Sequence, residues 1–454
     1  MTKIFAEKIL TPSGWKNNTI VEIGPNGYII RVAHGESTFD HRVGCLIPSP
    51  VNVHSHAFQR AMSGLTEYRG PNPQDSFWTW RKLMFKFLAQ LDPEIIEAVT
   101  AFVQMEMLEA GYSTNVEFHY LHHDKNGEQY ANISEMSDRI LSATNKTGIG
   151  LTILPVLYQY GGCDLRPLEE GQKRFGNDID SYEKLFCKVS ESLKFNSKDT
   201  RIGVAPHSLR AVHQDNLKDL KELAGSKPIH MHLAEQVAEV EEVKNSWGAR
   251  PVEWVLNHLD INEQWCMIHC TQMESQEVIG LAKSGAIAGL CPMTESSLGD
   301  GIFEGTEWFK HTGSIAIGSD SNIRISLSEE LRTLEYSQRL RDKSRSALAT
   351  EDKSTGRRLF EEVYKGGAQA AGRKTGAIEK GYYADLLALN TSHIDLFGRE
   401  NDTLLDSFIF SGNDSLISDV WSAGRHLVKE GKHILHNEIT NSYRTATKKL
   451  RGFN

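Results

Sequence analysis

The sequence predicts an α/β protein: a (β/α)8 TIM-type barrel with a second, smaller β-sandwich domain built from both chain ends. Three observations carry that prediction. Eight apolar runs of strand length alternate with helical stretches between residues 48 and 378. These runs are continuously hydrophobic, the pattern of parallel strands buried on both faces, and eight of them suit a closed barrel better than a doubly wound open sheet. At both termini the texture changes to short β-prone runs broken by Gly, Asn and Pro.

Taken in order, residues 1–47 carry KIFAEKIL, NTIVEIG and YIIRVAH, read as small antiparallel strands. The barrel strands are expected in LIPSPVNV, TNVEF, IGLTILPVLY, RIGVAP, PIHMHLA, WCMIH, AIAGLC and SIAIGSD. Gly111, Gly148, Gly225, Gly285 and Gly313 each stand between a helical stretch and the next strand, where a left-handed cap would end the helix. After the helix LFEEVYKGGAQAAG, the stretches GAIEKGYYADLLALN, SFIFSG and DVWSAGRHLVKEGKH again read as short strands and turns. Residues 379–454 are therefore expected to join residues 1–47 in one small domain beside the barrel of residues 48–378, because chain ends often lie close together.

Composition narrows the partners. The 454 residues are 39% hydrophobic and 24% charged, a globular balance with enough length for a large core. Lys and Arg number 50 against 59 Asp and Glu, a formal net charge of −9, so the general cationic field that draws nucleic acids or anionic membranes is missing. No apolar run reaches the roughly 20 residues that span a bilayer, and the opening MTKIFAEKILTPSGW lacks a secretory apolar stretch. A cytoplasmic protein acting on a small molecule is expected. Cys45, Cys163, Cys187, Cys266, Cys270 and Cys291 are scattered, mostly within apolar runs, and read as free thiols rather than a disulfide framework. Cys266 and Cys270 flank His269 without a second pair, so packing is their reading rather than zinc.

Chemistry is expected at the C-terminal ends of the barrel strands. The first run ends in VNVHSH, where a period of two projects His54 and His56 to one side. The fifth ends with His232 and, three residues later, Glu235; the sixth ends at His269 and the eighth at Asp320 in GSDSN. His54, His56, His232 and Asp320 supply three imidazoles and one carboxylate, a donor set suited to one divalent ion, most naturally Zn, with an open position. A single histidine of this set would read as a core residue, and it is the agreement among strand ends that points to metal. His230 shares the face of His232 but lies deeper, which favours packing or hydrogen bonding. Glu235 has a second reading as an acid stabilised at a helix N-terminus. His119, His122 and His123, in EFHYLHHD, suggest supporting or loop hydrogen bonds.

His-x-His, a His followed three residues later by Glu, a later His and an Asp together resemble the amidohydrolase superfamily, in particular its metal-dependent aminohydrolases. HSHAFQRAMSGL, SFWTWRKLMFKF, EFHYLHHD, APHSLRAV, HLAEQ and CPMTESSLGDGIF extend the resemblance over essentially the whole chain. They are similar to the branch that hydrolyses N-formimino-L-glutamate to N-formyl-L-glutamate and ammonia in histidine breakdown. Met293 departs from an expected Thr and Ser49 from a Gly after Pro, departures that bear on local packing.

The resemblance implies catalytic roles for Glu235, His269 and Asp320. A divalent ion would lower the pKa of water to about 7, Asp320 would accept the water proton, His269 would polarise or orient the hydroxide, and Glu235 would protonate the imino nitrogen. It also implies a substrate pocket of Gln59, Arg81, Tyr120, His207 and Arg210, and a homodimer. A dicarboxylate substrate needs cations near the barrel mouth, which Arg81 and Arg210 could supply; their other reading is as surface ion pairs, and that of Tyr120 as rim packing. An aminohydrolase acting on a purine, pyrimidine or nucleoside would use the same metal set, but two arginines suit a dicarboxylate better. A barrel that had lost its reaction would not need the complete acid, base and ligand set.

Overall fold

The computed structural model describes residues 1–35, 38–67 and 77–450, residues 77–79 by backbone alone. The segment SFWTWRKLMFKF therefore begins outside the described residues. Four strands precede the barrel: β1 (Thr2–Thr11), β2 (Gly14–Ile23), β3 (Ile29–His34) and β4 (His41–Pro48). The barrel comprises β5 (Val51–Ser55), β6 (Thr114–His119), β7 (Gly150–Leu157), β8 (Arg201–Ile202) with β9 (Ala205–Pro206), β10 (Ile229–Leu233), β11 (Trp265–His269), β12 (Ile287–Leu290) and β13 (Ser314–Ile317).

All barrel pairings are parallel. β8 and β9 lie successively against β7 and form one barrel position, Val204 bridges to Ile229, and Ile317 of β13 returns to Asn52 of β5. The sheet thus closes on itself, as the eight apolar runs require. β5, β6, β7, β10 and β11 are buried at every position, which is why their sequences do not alternate.

LIPSPVNV does not form one strand. Leu46–Pro48 ends β4 in the outer sheet, and β5 begins at Val51 in the barrel. Two prolines, Pro48 and Pro50, remove backbone donors at the point where the chain changes sheets.

The outer sheet joins both chain ends through β14 (Leu386–Leu389), β15 (Ile417–Ser422), β16 (Arg425–Lys429) and β17 (Lys432–His433), in the order β17, β16, β15, β14, β4, β1, β2, β3. Its pairings are antiparallel except β1 with β4. Period two divides β14: Leu387 and Leu389 join the barrel core, while Leu386 and Ala388 face a second cluster with Ile4, Val43 and Leu46.

SFIFSG is helical rather than extended. It ends the helix Asp402–Phe410, which buries Leu404, Leu405, Phe408 and Ile409, a spacing that belongs to one helix face. The short apolar run was ambiguous by itself. A last helix, His436–Lys449, lies against Pro93–Glu109 with Tyr443 stacked on Phe102 at 4.0 Å. Gly111, Gly148, Gly225 and Gly285 have positive φ as expected, but the left-handed residue before β13 is Thr312 (φ 60°). Gly313 serves another need, since a Cβ there would collide with the Trp308 indole.

The barrel and outer sheet are tied by an ionic cluster. Arg373 donates to Asp385 at 3.0 Å and to Asp199 at 2.9 Å, and Asp199 accepts from Arg425 at 2.7 Å. Burial alone would raise the Asp199 pKa, but Arg425 and Arg373 outweigh it and hold the carboxyl well below the usual range. All six cysteines are free and only Cys187 is exposed. No described helix is long and apolar enough to cross a membrane.

Candidate active site

The end of β5 and the chain just beyond β13 run side by side. Asp320 N donates to the His54 carbonyl (2.9 Å) and His56 N donates to the Asp320 carbonyl (3.0 Å), so one carboxylate is set beside two imidazoles. Gly318 permits this approach, because a Cβ there would fall 2.7 Å from that of His54. β10 and β11 deliver His232 and His269 from adjacent strands, with Leu233 in register with His269.

The side chains converge. His54 Nε2 lies 3.0 Å from His232 Nε2 and 3.6 Å from Asp320 Oδ1, which is 3.2 Å from His56 Nε2. His269 Nε2 is 3.9 Å from Asp320 Oδ2. His56 Nδ1 donates to the Phe118 carbonyl (2.9 Å) and His232 Nδ1 to the His207 carbonyl (3.1 Å). Each bond places the proton on Nδ1 and leaves the Nε2 lone pair facing the cluster. Burial and the neighbouring imidazoles push the pKa values of His54 and His232 well down, so both rings are neutral. The donor atoms of His54, His56 and His232, and those of His54, His269 and Asp320, each form a group within 4.8 Å. Convergent neutral imidazoles beside a carboxylate fit a divalent cation.

The backbone is strained where it turns these groups inward. Ala234 (φ 52°), His269 (73°), Cys270 (53°), Asp320 (46°) and Asn322 (53°) are left-handed without being glycine, each at a cost of about 1–3 kcal/mol that the surroundings must offset. At Asp320 the offset is visible. Asn322 Nδ2 donates to Ser55 Oγ, the His56 carbonyl and the Asp320 carbonyl at 3.1–3.2 Å, while Ser319 Oγ donates to Asn322 (2.6 Å) and accepts from Asn52 (2.7 Å). GSDSN contained this network, but sequence reasoning assigned only its aspartate.

Glu235 lies between β10 and the helix Val237–Trp247, and the helix-terminal acid is a different residue. Glu239 accepts the backbone N–H groups of Glu235 (2.9 Å) and Ala234 (3.2 Å), leaving the Glu235 carboxyl to face the cavity. That carboxyl stands 3.9 Å from both His269 Nε2 and Arg210 Nη2, and burial raises its pKa. Burial would lower the His269 pKa, but Glu235, Glu295 and Asp320 reverse this and lift it to about 10. Glu295, 3.2 Å from His269 Nδ1, was missed from sequence although it stands in CPMTESSLGDGIF.

Gln59, Arg81, Tyr120, His207 and Arg210 line one cavity together with His56, His232, Glu235, His269 and Asp320. Gln59 donates to the Tyr120 hydroxyl at 2.8 Å, and His207 Nδ1 is 3.0 Å from Ser208 Oγ. Arg81, on the helix Phe77–Leu88, donates to Tyr158 at 3.0 Å and lies over the Phe85 ring. Arg210 is 10% exposed, not a surface ion pair. Tyr158, Trp80 and Phe175 also line the cavity; sequence reasoning assigned none of them, although Trp80 stands in SFWTWRKLMFKF and Tyr158 ends the run IGLTILPVLY.

Other histidines lie elsewhere. His230 Nε2 donates to the Ala370 carbonyl (2.7 Å), His122 Nε2 to Val156 (3.0 Å) and His123 Nε2 to Gly176 (2.6 Å). His119 is buried, with its pKa lowered to about 3 by desolvation. Ser49 donates to the Gly111 carbonyl at 2.7 Å, and Met293 N donates to buried Glu330 at 2.9 Å, so both departures from the expected motif sit in packed surroundings.

The family model described as "Amidohydrolase family" matches residues 45–427. The chain is 43% identical over 437 residues to the formimidoylglutamate deiminase of Pseudomonas aeruginosa, covering 95% of this chain and 96% of that protein. It is 26% identical over 400 residues to the 5'-deoxyadenosine deaminase of Methanopyrus kandleri, covering 87% and 83%. The crystal structure of an amidohydrolase from Brucella melitensis matches with a TM-score of 0.95 at 43% identity, over 99% of this chain and 100% of that one. An adenosine deaminase from Xanthomonas campestris with bound zinc is 19% identical and shares the fold, with a TM-score of 0.82 over 99% and 98% of the two chains.

Proposed function

We propose that this chain, which belongs to the amidohydrolase family, hydrolyses N-formimino-L-glutamate to N-formyl-L-glutamate and ammonia. One observation carries the reading: Arg81 and Arg210 line the same cavity as the histidine and aspartate cluster. Two guanidiniums there match two carboxylates, whereas a neutral purine or pyrimidine carries no anionic group to pair with them. The 43% identity to the Pseudomonas aeruginosa deiminase supports the same substrate.

His54, His56, His232 and Asp320 would hold one divalent ion, zinc in this reading of the donor set. When bound, such an ion lowers the pKa of water to about 7 and makes hydroxide available at neutral pH. Asp320 Oδ2 takes the first water proton. His269, held by Glu295, orients the oxygen toward the formimino carbon. Glu235, whose pKa burial raises, is the acid that delivers a proton to the imino nitrogen. A C–O bond forms and the bond to the imino nitrogen breaks; ammonia leaves with two added protons, one from Glu235 and the one Asp320 took from water, and the second water proton, released as the carbonyl forms, returns to Glu235. Arg81 and Arg210, with Gln59, Tyr120 and His207, hold the two carboxylates. The reading includes a cytoplasmic homodimer serving histidine breakdown.

Ammonia release from N-formimino-L-glutamate, N-formimino-L-aspartate, guanine and adenosine tests the proposal. The formimino amino acids are expected to react. Release from a purine alone would overturn it.

A further inference from the structure

The Tyr158 hydroxyl, one residue beyond β7, receives two hydrogen bonds. Arg81 Nη2 donates at 3.0 Å and Gln172 Nε2 at 2.8 Å. Neither direction is open to reversal. A guanidinium has no acceptor, and Gln172 Oε1 is engaged by the backbone N–H of Glu169 at 2.8 Å, which turns the amide so that its NH2 faces the phenol. Gln172 is buried and lies in the 3-10 turn Glu170–Phe175. That turn packs on the helix carrying Arg81, and a Cβ on Gly171 would collide with Phe85. One hydroxyl thus collects donors from two separate elements.

A phenol oxygen has two lone pairs and one proton. With both lone pairs used, the proton must go to a third atom, and no described residue accepts it. Tyr158 lines the catalytic cavity beside His207, their ring centroids 4.5 Å apart.

We propose that Tyr158 is a further specificity residue: its O–H donates to a substrate carboxylate, forming with Arg81 a two-point site for an acceptor-only group. Gln172 is the positioning residue that sets the direction of that proton. The proposal rests on the dicarboxylate reading above. A carboxylate accepts from both donors, whereas an amide oxygen satisfies one and brings an NH2 that finds a donor opposite it.

The test compares wild type, Tyr158→Phe, Gln172→Glu and the double variant on N-formimino-L-glutamate and its side-chain amide, N-formimino-L-glutamine, with metal content and circular dichroism reporting folding. Tyr158→Phe should lower kcat/KM for the acid by about 10-fold or more, mostly through KM, and change that for the amide less than about 3-fold. In Gln172→Glu the new carboxylate accepts the Tyr158 proton and turns it from the cavity. The loss should match that of Tyr158→Phe although the phenol remains, and the double variant should be no worse than either single. Equal losses for acid and amide, or kcat/KM for the acid within about 2-fold of wild type in a folded Tyr158→Phe, would overturn the assignment. Multiplying losses in the double variant would overturn the positioning role of Gln172. A wild type inactive on the acid would instead count against the substrate reading.

Discussion

His54 Nε2 stands 3.0 Å from His232 Nε2 while His232 Nδ1 donates to the His207 carbonyl. The two rings meet through the side of His232 that carries a lone pair, an arrangement a shared cation stabilises. His56→Ala removes a third nitrogen from the same group. Metal analysis of the purified variant should show reduced content, and ammonia release should fall to background. Full metal occupancy with unchanged turnover would reject the ligand assignment.

Glu235→Gln keeps the size and the loop, since Glu239 still holds the backbone of residues 234 and 235. It should fold and retain metal but lose about 10²–10⁴-fold in kcat, because an amide cannot cycle a proton. A variant with near wild-type kcat would reduce Glu235 to a pocket-lining residue.

Arg81→Met would remove the charge-assisted contact proposed to a substrate carboxylate, worth about 1.5–3 kcal/mol, so kcat/KM for N-formimino-L-glutamate should drop by roughly 10–150-fold, chiefly through KM. Arg210 lies 3.9 Å from Glu235, and Arg210→Met should therefore lower kcat as well. A substrate lacking the carboxylate assigned to the substituted arginine should lose much less. Equal losses on both substrates would assign the arginines to structure instead.

Asp199→Asn removes one of the two carboxylates around buried Arg373, which keeps Asp385, and also removes the partner of Arg425. Breaking a buried pair costs about 3–5 kcal/mol, read at pH 7 from the thermal or urea midpoint. The sign of the pH dependence follows from the depressed native pKa. The carboxylate's stabilisation is present above its unfolded value of about 3.9 and is lost as pH falls toward the lower native value. The gap between wild type and variant should narrow below about pH 4. A gap that stays constant down to pH 3 would show that shape, not charge, links the barrel to the outer sheet.

The strand ends were legible because their information is local. VNVHSH, PIHMHLA and GSDSN each carry their reactive residue within a few positions of a buried run, and parallel pairing brings all such ends to one face. SFIFSG was not legible, since a short apolar run has the same composition in a strand and in a buried helix. Neither was the division of labour between Glu235 and Glu239, which depends on the left-handed turn at Ala234 and on which carboxylate then meets the free N–H groups.

By itself, then, the sequence determined the barrel, the His54, His56, His232 and Asp320 cluster, and the sign of charge suited to the substrate, because periodicity and residue type suffice for these. Only the tertiary structure decided how the cluster is supported and aimed. Glu295 behind His269, Asn322 beneath Asp320, and Gln172 with Arg81 on Tyr158 come from segments with no pattern in common. Hydrogen-bond direction depends on partners far apart in the chain, and a linear sequence does not contain their distances.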